Sequence, residues 1–108
     1  KTGQTTVRFR GASVVEIPLT LKASMNKNKT CVNLEFSYEY KAKNSYYGVI
    51  YKSVDDGPAY ALSSFQRGET TYTDCHVQQG QKVTYSIQMF LGTGKRSQKS
   101  KEVTVNVK

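Results

Sequence analysis

The last third of the chain, residues 72–107, most constrains the fold because its side chains follow an almost unbroken period-two pattern. Apolar and polar residues alternate between Val83 and Met89, and again over residues 103–107. A Gly-Thr-Gly-Lys segment at residues 92–95 separates the two runs. Alternation of this kind indicates strands with one buried face, and glycine-rich segments indicate chain reversals. The region therefore predicts successive antiparallel strands.

Earlier parts of the chain alternate in the same way, and helical periodicity is absent. The first run contains Pro18, which cannot donate a ladder hydrogen bond and therefore indicates an edge strand. The polar residues 24–30 and the Asp-Asp-Gly-Pro segment at residues 55–58 indicate a loop and a turn. Seven short strands predict an all-β, two-sheet antiparallel sandwich.

The chain length of 108 residues suits one domain. We assign the domain to residues 14–108, and residues 1–13 to an N-terminal extension, a linker or the first half of a broken first strand. No apolar run approaches the ~20 residues of a membrane span, and no signal-peptide pattern is present. We expect a module of a longer protein that does not itself insert into a membrane.

The order and spacing of these features resemble a fibronectin type III domain from about residue 14 to the end. Leu34-x-Phe36 stands where that family usually has Leu-x-Trp, and Gly80 takes the place of the turn between strands E and F. Val83 occupies the position of the family's corner tyrosine, while Tyr85 matches the next inward position. The resemblance implies fibronectin type III or immunoglobulin-like topology in a divergent member.

A true immunoglobulin domain fits the sequence less well. The chain has no tryptophan, whereas an immunoglobulin disulfide packs on one. Two strands are expected after Cys75, whereas one should follow a strand-F cysteine.

Cys31 and Cys75 are the only cysteines. An even pair in a small β domain predicts either a disulfide or two buried free thiols. In the fold that the chain resembles, the start of strand B lies beside the end of strand E, and both cysteines face outward. The resemblance thus implies a Cys31–Cys75 disulfide, worth about 4 kcal/mol, and an oxidising, extracellular or cell-surface location.

Catalytic chemistry finds little support. His76 and Cys75 are neighbours on a strand and point to opposite faces, so they do not form a nucleophile–base pair. Asp55 and Asp56 are explained by turn chemistry and lack the further oxygen ligands of a calcium loop. We expect no enzymatic activity, no metal and no cofactor. Asn28 begins an Asn-Lys-Thr glycosylation sequon on the predicted loop, which makes the protein a candidate glycoprotein.

The net charge of +8 favours an anionic partner, or simply a well-solvated surface. No motif for nucleic acid accompanies it. The clearest basic cluster is a predicted loop at residues 95–101, here called the basic loop. It is a candidate site for a sulfated glycan, lipid headgroups or an acidic protein, or else a solvated loop. Its cationic residues are Lys95, Arg96, Lys99 and Lys101.

A second candidate surface is the outer face of strands C and F. Strand parity predicts that Tyr46, Ile50 and Phe90 point outward there. Apolar residues on a wet face mark an interaction surface for a neighbouring domain or a second copy, unless they are scattered exposed residues of the ordinary kind.

These observations predict a non-catalytic extracellular module of a larger cell-surface or secreted protein, used for adhesion, recognition or spacing. One alternative is an accessory module of a secreted bacterial enzyme, and another is a module that binds sulfated or other anionic ligands through the basic loop. A cytokine-receptor module is disfavoured because the Trp-Ser-x-Trp-Ser signature is absent.

Overall fold

The computed structural model describes residues 14–40, 45–92 and 94–108 and shows an all-β protein, with no helix in these ranges. The predicted fold class is confirmed. Residues 1–13 and Thr93 of the predicted turn lie outside the described residues. The strands are β1 (Val14–Val15), β2 (Leu19–Met25), β3 (Val32–Tyr38), β4 (Tyr46–Val54), β5 (Tyr60–Gln66), β6 (Thr71–Asp74), β7 (Lys82–Leu91), β8 (Arg96–Ser97) and β9 (Val103–Asn106).

The strands form two sheets that pack face to face. The large sheet has the order β1-β8-β7-β4-β5, and β9 also pairs with β7. The small sheet has the order β2-β3-β6. Neighbouring strands are antiparallel, except that β1 runs parallel to β8. β1 and β2 both belong to the first predicted strand, whereas β8 is a short strand within the loop predicted at residues 95–101. The other strands correspond to the remaining six of the seven predicted strands.

The first strand changes sheets at Pro18, which lies in the gap between β1 and β2. There the side-chain amide of Gln98 replaces a strand: its Oε1 accepts from the Ile17 N–H at 3.0 Å, and its Nε2 donates to the Ile17 carbonyl at 2.6 Å. The predicted loop at residues 24–30 begins later than expected, because Ser24 and Met25 still pair with β3.

The core lies between the sheets and is built from the inward faces of β3, β4 and β7. Its rings make close pairs: the Phe36 and Phe65 centroids are 4.5 Å apart, and those of Tyr38 and Tyr46 are 5.7 Å apart. The buried apolar residues are Ile17, Val32, Leu34, Phe36, Tyr46, Ile50, Phe65, Val83, Tyr85, Ile87, Met89, Leu91 and Val107.

The parity expected for β4 is wrong. Tyr46 and Ile50, predicted to face solvent, are buried, while Tyr47 is 45% exposed. Apolar residues occupy both faces of this strand, so alternation alone could not choose between them. Two features decide the choice: Gly48 makes room for a core ring, and Lys52 finds a buried partner.

Gly48 lets the Phe65 ring lie directly against the backbone of β4. A Cβ at this position would overlap the ring, so Phe65 would have to move. We expect Gly48→Ala to lower the free energy of unfolding by about 1–3 kcal/mol, the usual cost of overpacking a core. Urea unfolding followed by circular dichroism measures this, with Ala61→Gly on the exposed side of β5 as a control for changes in strand propensity. An unchanged midpoint for Gly48→Ala would contradict the packing described.

Candidate binding surface

A disulfide joins Cys31 and Cys75, the predicted pair, across β3 and β6. Val32 pairs with Asp74 in the antiparallel ladder, so the two cysteines lie at the next position along the strands. They share the outer face of the small sheet with the exposed Asn33. The bond therefore ties two strands of one sheet without entering the core.

Beneath the disulfide, a polar network that the sequence analysis missed is buried between the sheets. Lys52 Nζ lies 2.7 Å from Asp74 Oδ2, and their side chains are 1% and 0% exposed. Lys52 also donates to the His76 carbonyl at 2.7 Å. Tyr85 donates its hydroxyl to Asp74 Oδ2 at 2.7 Å, and the His76 N–H donates to Asp74 Oδ1 at 3.0 Å. The carboxylate thus receives three donors.

The network holds Asp74 in its charged form. Burial alone would raise the pKa of Asp74, but the hydrogen bonds from Lys52, Tyr85 and the His76 backbone outweigh burial and lower it. Burial, together with the hydrogen bond to Asp74, raises the pKa of Tyr85, so its hydroxyl remains a donor. Because the charged side chains have almost no solvent exposure, no substrate reaches them, and the network fixes the packing of the two sheets.

A signal for the network was present in the sequence but could be interpreted only with the register known. Lys52 pairs with Tyr85 across β4 and β7, on the same face as the apolar Ile50. A lysine on an apolar face requires an acid, and Asp74 at the end of β6 provides it.

The outer face of the large sheet carries the strongest candidate binding surface. Tyr47 pairs with Phe90, and Phe90 pairs with Arg96, so these side chains form one row across β4, β7 and β8. The Tyr47 and Phe90 rings stack at 5.4 Å with only 12° between their planes. We call Tyr47, Phe90, Arg96, Tyr51 and Lys99 the aromatic–basic platform.

The row extends to both edges of the sheet. Gln66 of β5 pairs with Tyr47, and Val14 of β1 pairs with Arg96. Five strands spaced about 4.8 Å apart give the row a length of about 19 Å. The sheet holds these residues in place through backbone pairing, so the row is a preformed surface.

The remaining platform residues lie beside this row. Lys99 places its ammonium 4.4 Å from the centroid of the Tyr51 ring, a cation–π contact. The Tyr51 hydroxyl donates to Gln88 Oε1 at 3.0 Å, and Gln88 Nε2 donates to the Ser97 carbonyl at 2.7 Å. These contacts connect β4, β7, β8 and Lys99 after β8, and they hold both the Tyr51 ring and the Lys99 ammonium in place.

A depression of about 220 Å³ opens at one end of the row. Tyr47 and Phe90 form one wall of it, and Gln66 and Gly92 also line it. Ser45 also lines it, and the Gly92 N–H donates to the Ser45 carbonyl at 2.8 Å. The depression brings aromatic and polar groups side by side next to the platform.

The structure divides the basic loop. Arg96 and Lys99 join the aromatic–basic platform. Lys95 is exposed at the turn before β8, where its carbonyl accepts from the Leu91 N–H at 2.8 Å. Lys101 instead lines a second depression, with Leu19 and Glu102. The four cations thus do not form a single cluster.

The structure also contradicts the predicted apolar surface of Tyr46, Ile50 and Phe90. Of its three residues, Tyr46 and Ile50 are in the core, and only Phe90 reaches the outer surface, where its partner is Tyr47. An exposed apolar cluster of Tyr46, Ile50 and Phe90 does not exist.

Other predicted positions lie away from the platform. Asn28 is exposed in the turn after β2, where Asn26 Oδ1 accepts from the Thr30 and Cys31 N–H groups. Its glycosylation stays a prediction. Within residues 14–40, 45–92 and 94–108, no group of three or more His, Cys, Asp or Glu residues is placed to hold a metal ion. No helix in these ranges is long and apolar enough for a membrane crossing.

Comparison with known proteins shows the fold but not the family. No protein-family model matches the chain, and no curated protein matches its sequence. Among solved structures, an Fn3-like protein from Clostridium thermocellum matches with a TM-score of 0.62 and 22% identity. The match covers 79% of this chain and 84% of that one. The structure therefore has an Fn3-like fold.

Two larger structures contain a similar sandwich. Pectate lyase PelI from Erwinia chrysanthemi, in complex with tetragalacturonic acid, matches with a TM-score of 0.65 and 15% identity over 81% of this chain. A β-1,2-glucanase from Parabacteroides distasonis matches with a TM-score of 0.66 and 21% identity over 88%. This chain spans only 28% of the lyase chain and 13% of the glucanase chain.

Proposed function

We propose that this chain is a non-catalytic recognition module of a secreted or cell-surface protein, and that the outer face of its large sheet contacts the partner. The observation that carries the proposal is the row of Tyr47, Phe90 and Arg96, which the sheet register holds in line. Because the Tyr47 and Phe90 rings already stack on each other, these side chains lose little conformational entropy when they bind. The disulfide and the predicted extracellular location agree with this role.

A second role is compatible with the first and is favoured by the comparisons. The matched sandwiches in a pectate lyase and a β-1,2-glucanase occupy minor parts of those chains. We propose that this chain serves as an accessory module of an enzyme that degrades polysaccharides. Adhesion to a protein partner, which the sequence also predicted, is the competing role.

An array test distinguishes recognition from mere spacing. Extracellular polysaccharides, matrix proteins and the chain itself are immobilised, and binding of the wild type is compared with that of two variants. The first carries Tyr47→Ala, Phe90→Ala and Arg96→Ala. The second, a matched control on the outer face of the small sheet, carries Lys22→Gln and Glu35→Gln, which exchange two exposed residues that pair across β2 and β3.

We expect the first variant to lose all binding that the wild type shows, and the control to retain it. A wild type that binds no immobilised species, or two variants that bind equally well, would contradict recognition through this face. Spacing between domains would then be the better account.

A further inference from the structure

We propose that the aromatic–basic platform binds a polyuronate, a linear polysaccharide of sugar rings that carry carboxylates. This inference rests on the proposed recognition function and names the chemical class of the partner.

The shape of the platform suits a chain of sugar rings. The face of an aromatic ring is electron-rich, so it attracts the C–H groups on the flat side of a sugar. Tyr47 and Phe90 stack on each other with their planes 12° apart, so they act as one apolar block of two rings in the row. The row they belong to crosses five strands, about 19 Å, which offers a linear polymer several successive contacts.

The cations of the platform favour an acidic polymer over a neutral one. Arg96 lies beside Phe90 in the row, and its planar guanidinium can bind a carboxylate through two parallel hydrogen bonds. The Lys99 ammonium is held above Tyr51 on the same face. The net charge of +8 adds a long-range attraction for a polyanion.

Carboxylates fit this surface better than sulfates do. A heavily sulfated chain is held mainly by clustered cations, whereas the four cations of the basic loop are dispersed and only Arg96 and Lys99 lie on the platform. Two stacked rings followed by Arg96, with Lys99 beside the row, match a polymer that has one charge per ring.

The same surface is poorly suited to a second copy of the chain. Two molecules that each carry +8 repel one another. The apolar area is also interrupted: Gln66 and Gln88 flank the rings, and Tyr51 uses its hydroxyl to bind Gln88. A self-docking face usually has a continuous apolar centre.

The test measures the affinity of the 108-residue chain for polygalacturonate by affinity electrophoresis, with three comparison polymers. Methyl-esterified polygalacturonate keeps the rings but loses the charge. Heparin supplies sulfates, and a neutral glucan supplies uncharged rings. The variants are Tyr47→Ala/Phe90→Ala, Arg96→Gln and, as a control on the other sheet, Lys22→Gln; unchanged urea midpoints show that each is folded.

We expect polygalacturonate to bind most tightly, and its binding to weaken with added salt and with esterification. Arg96→Gln should reduce affinity about tenfold, the effect of losing a hydrogen bond to a charged group. Tyr47→Ala/Phe90→Ala should reduce it at least as much, and Lys22→Gln should leave it unchanged. Equal affinity of all variants would overturn the proposal.

Two further outcomes would overturn this inference but leave the proposed function intact. One is tight heparin binding that survives Tyr47→Ala/Phe90→Ala, which would show that the cations bind the ligand without the two rings. The other is failure to bind polygalacturonate while a protein on the array binds through the platform. If the platform substitutions changed binding neither on the array nor on the gel, the proposed function would be rejected as well.

Discussion

Replacing Lys52 with Met should lower the free energy of unfolding by about 3–5 kcal/mol, because it leaves the buried carboxylate of Asp74 without its counter-ion. That is a large part of the 5–15 kcal/mol by which a typical domain is stable. Urea unfolding at pH 7 measures the loss. The matched control is Lys82→Met, which breaks the exposed ion pair with Asp56 at 2.9 Å. We expect that change to cost less than about 1 kcal/mol.

A double variant separates the contribution of the Lys52–Asp74 ion pair to stability from the contribution of side-chain packing. Lys52→Met with Asp74→Leu removes both charges, so it should unfold at a higher urea concentration than Lys52→Met alone, despite the further substitution. A double variant that shows only the sum of the two single losses would contradict direct coupling of Lys52 and Asp74.

The pH dependence of stability provides an independent check on the same network. The folded-state pKa of Asp74 lies below its usual value of 3.8, so the wild type should lose this contribution as the pH falls below that value. In Lys52→Met, burial acts on Asp74 without the lysine, and its folded-state pKa should rise. That variant should therefore become more stable as the pH is lowered from 7 towards 5, whereas the wild type should not.

The second large effect concerns the disulfide. Cys31 and Cys75 are 44 residues apart, and releasing a loop of this size should cost about 4 kcal/mol on the chain-entropy model. We expect Cys31→Ser/Cys75→Ser, and equally the reduced wild type, to unfold at a lower urea concentration. Because the bond lies on the outer face of the small sheet, the far-ultraviolet circular dichroism of the variant should remain that of a folded β protein.

Mass spectrometry after alkylation shows whether the bond is present. Wild-type protein from an oxidising expression route should gain no adduct before reduction and two after it. Two adducts without reduction, or equal stability of the reduced and oxidised protein, would contradict the bridge and remove one support for an extracellular location.

The sequence predicted the architecture well because alternation and turns are local signals. The inward faces of β3 and β7, anchored by Leu34 and Tyr85, followed from a pattern in which one face is clearly apolar. The cysteine pair followed from strand order in the fold that the chain resembles. These inferences needed only the alternation within each strand and the strand order of the fold that the chain resembles.

The candidate site was harder to predict because it depends on the parity of β4. Tyr46 and Tyr47 are the same residue type, so composition cannot tell them apart. Tyr46 nevertheless lies in the core and Tyr47 on the platform. What decides between them is distant in sequence: the Phe65 ring that needs Gly48, and the acid that Lys52 needs. Shifting the parity by one residue exchanges the two faces of the strand, so the apolar cluster expected on the surface was wrong.

Chemical-shift mapping tests the central claim, recognition through the outer face of the large sheet, most directly. Backbone amide signals of the labelled chain would be followed during titration with a short oligogalacturonate. The account predicts that the largest shifts cluster at Tyr47, Phe90 and Arg96 and extend along their row. Shifts that cluster instead on β2, β3 and β6 would contradict it, whereas the absence of any shift would reject only a polyuronate as the ligand.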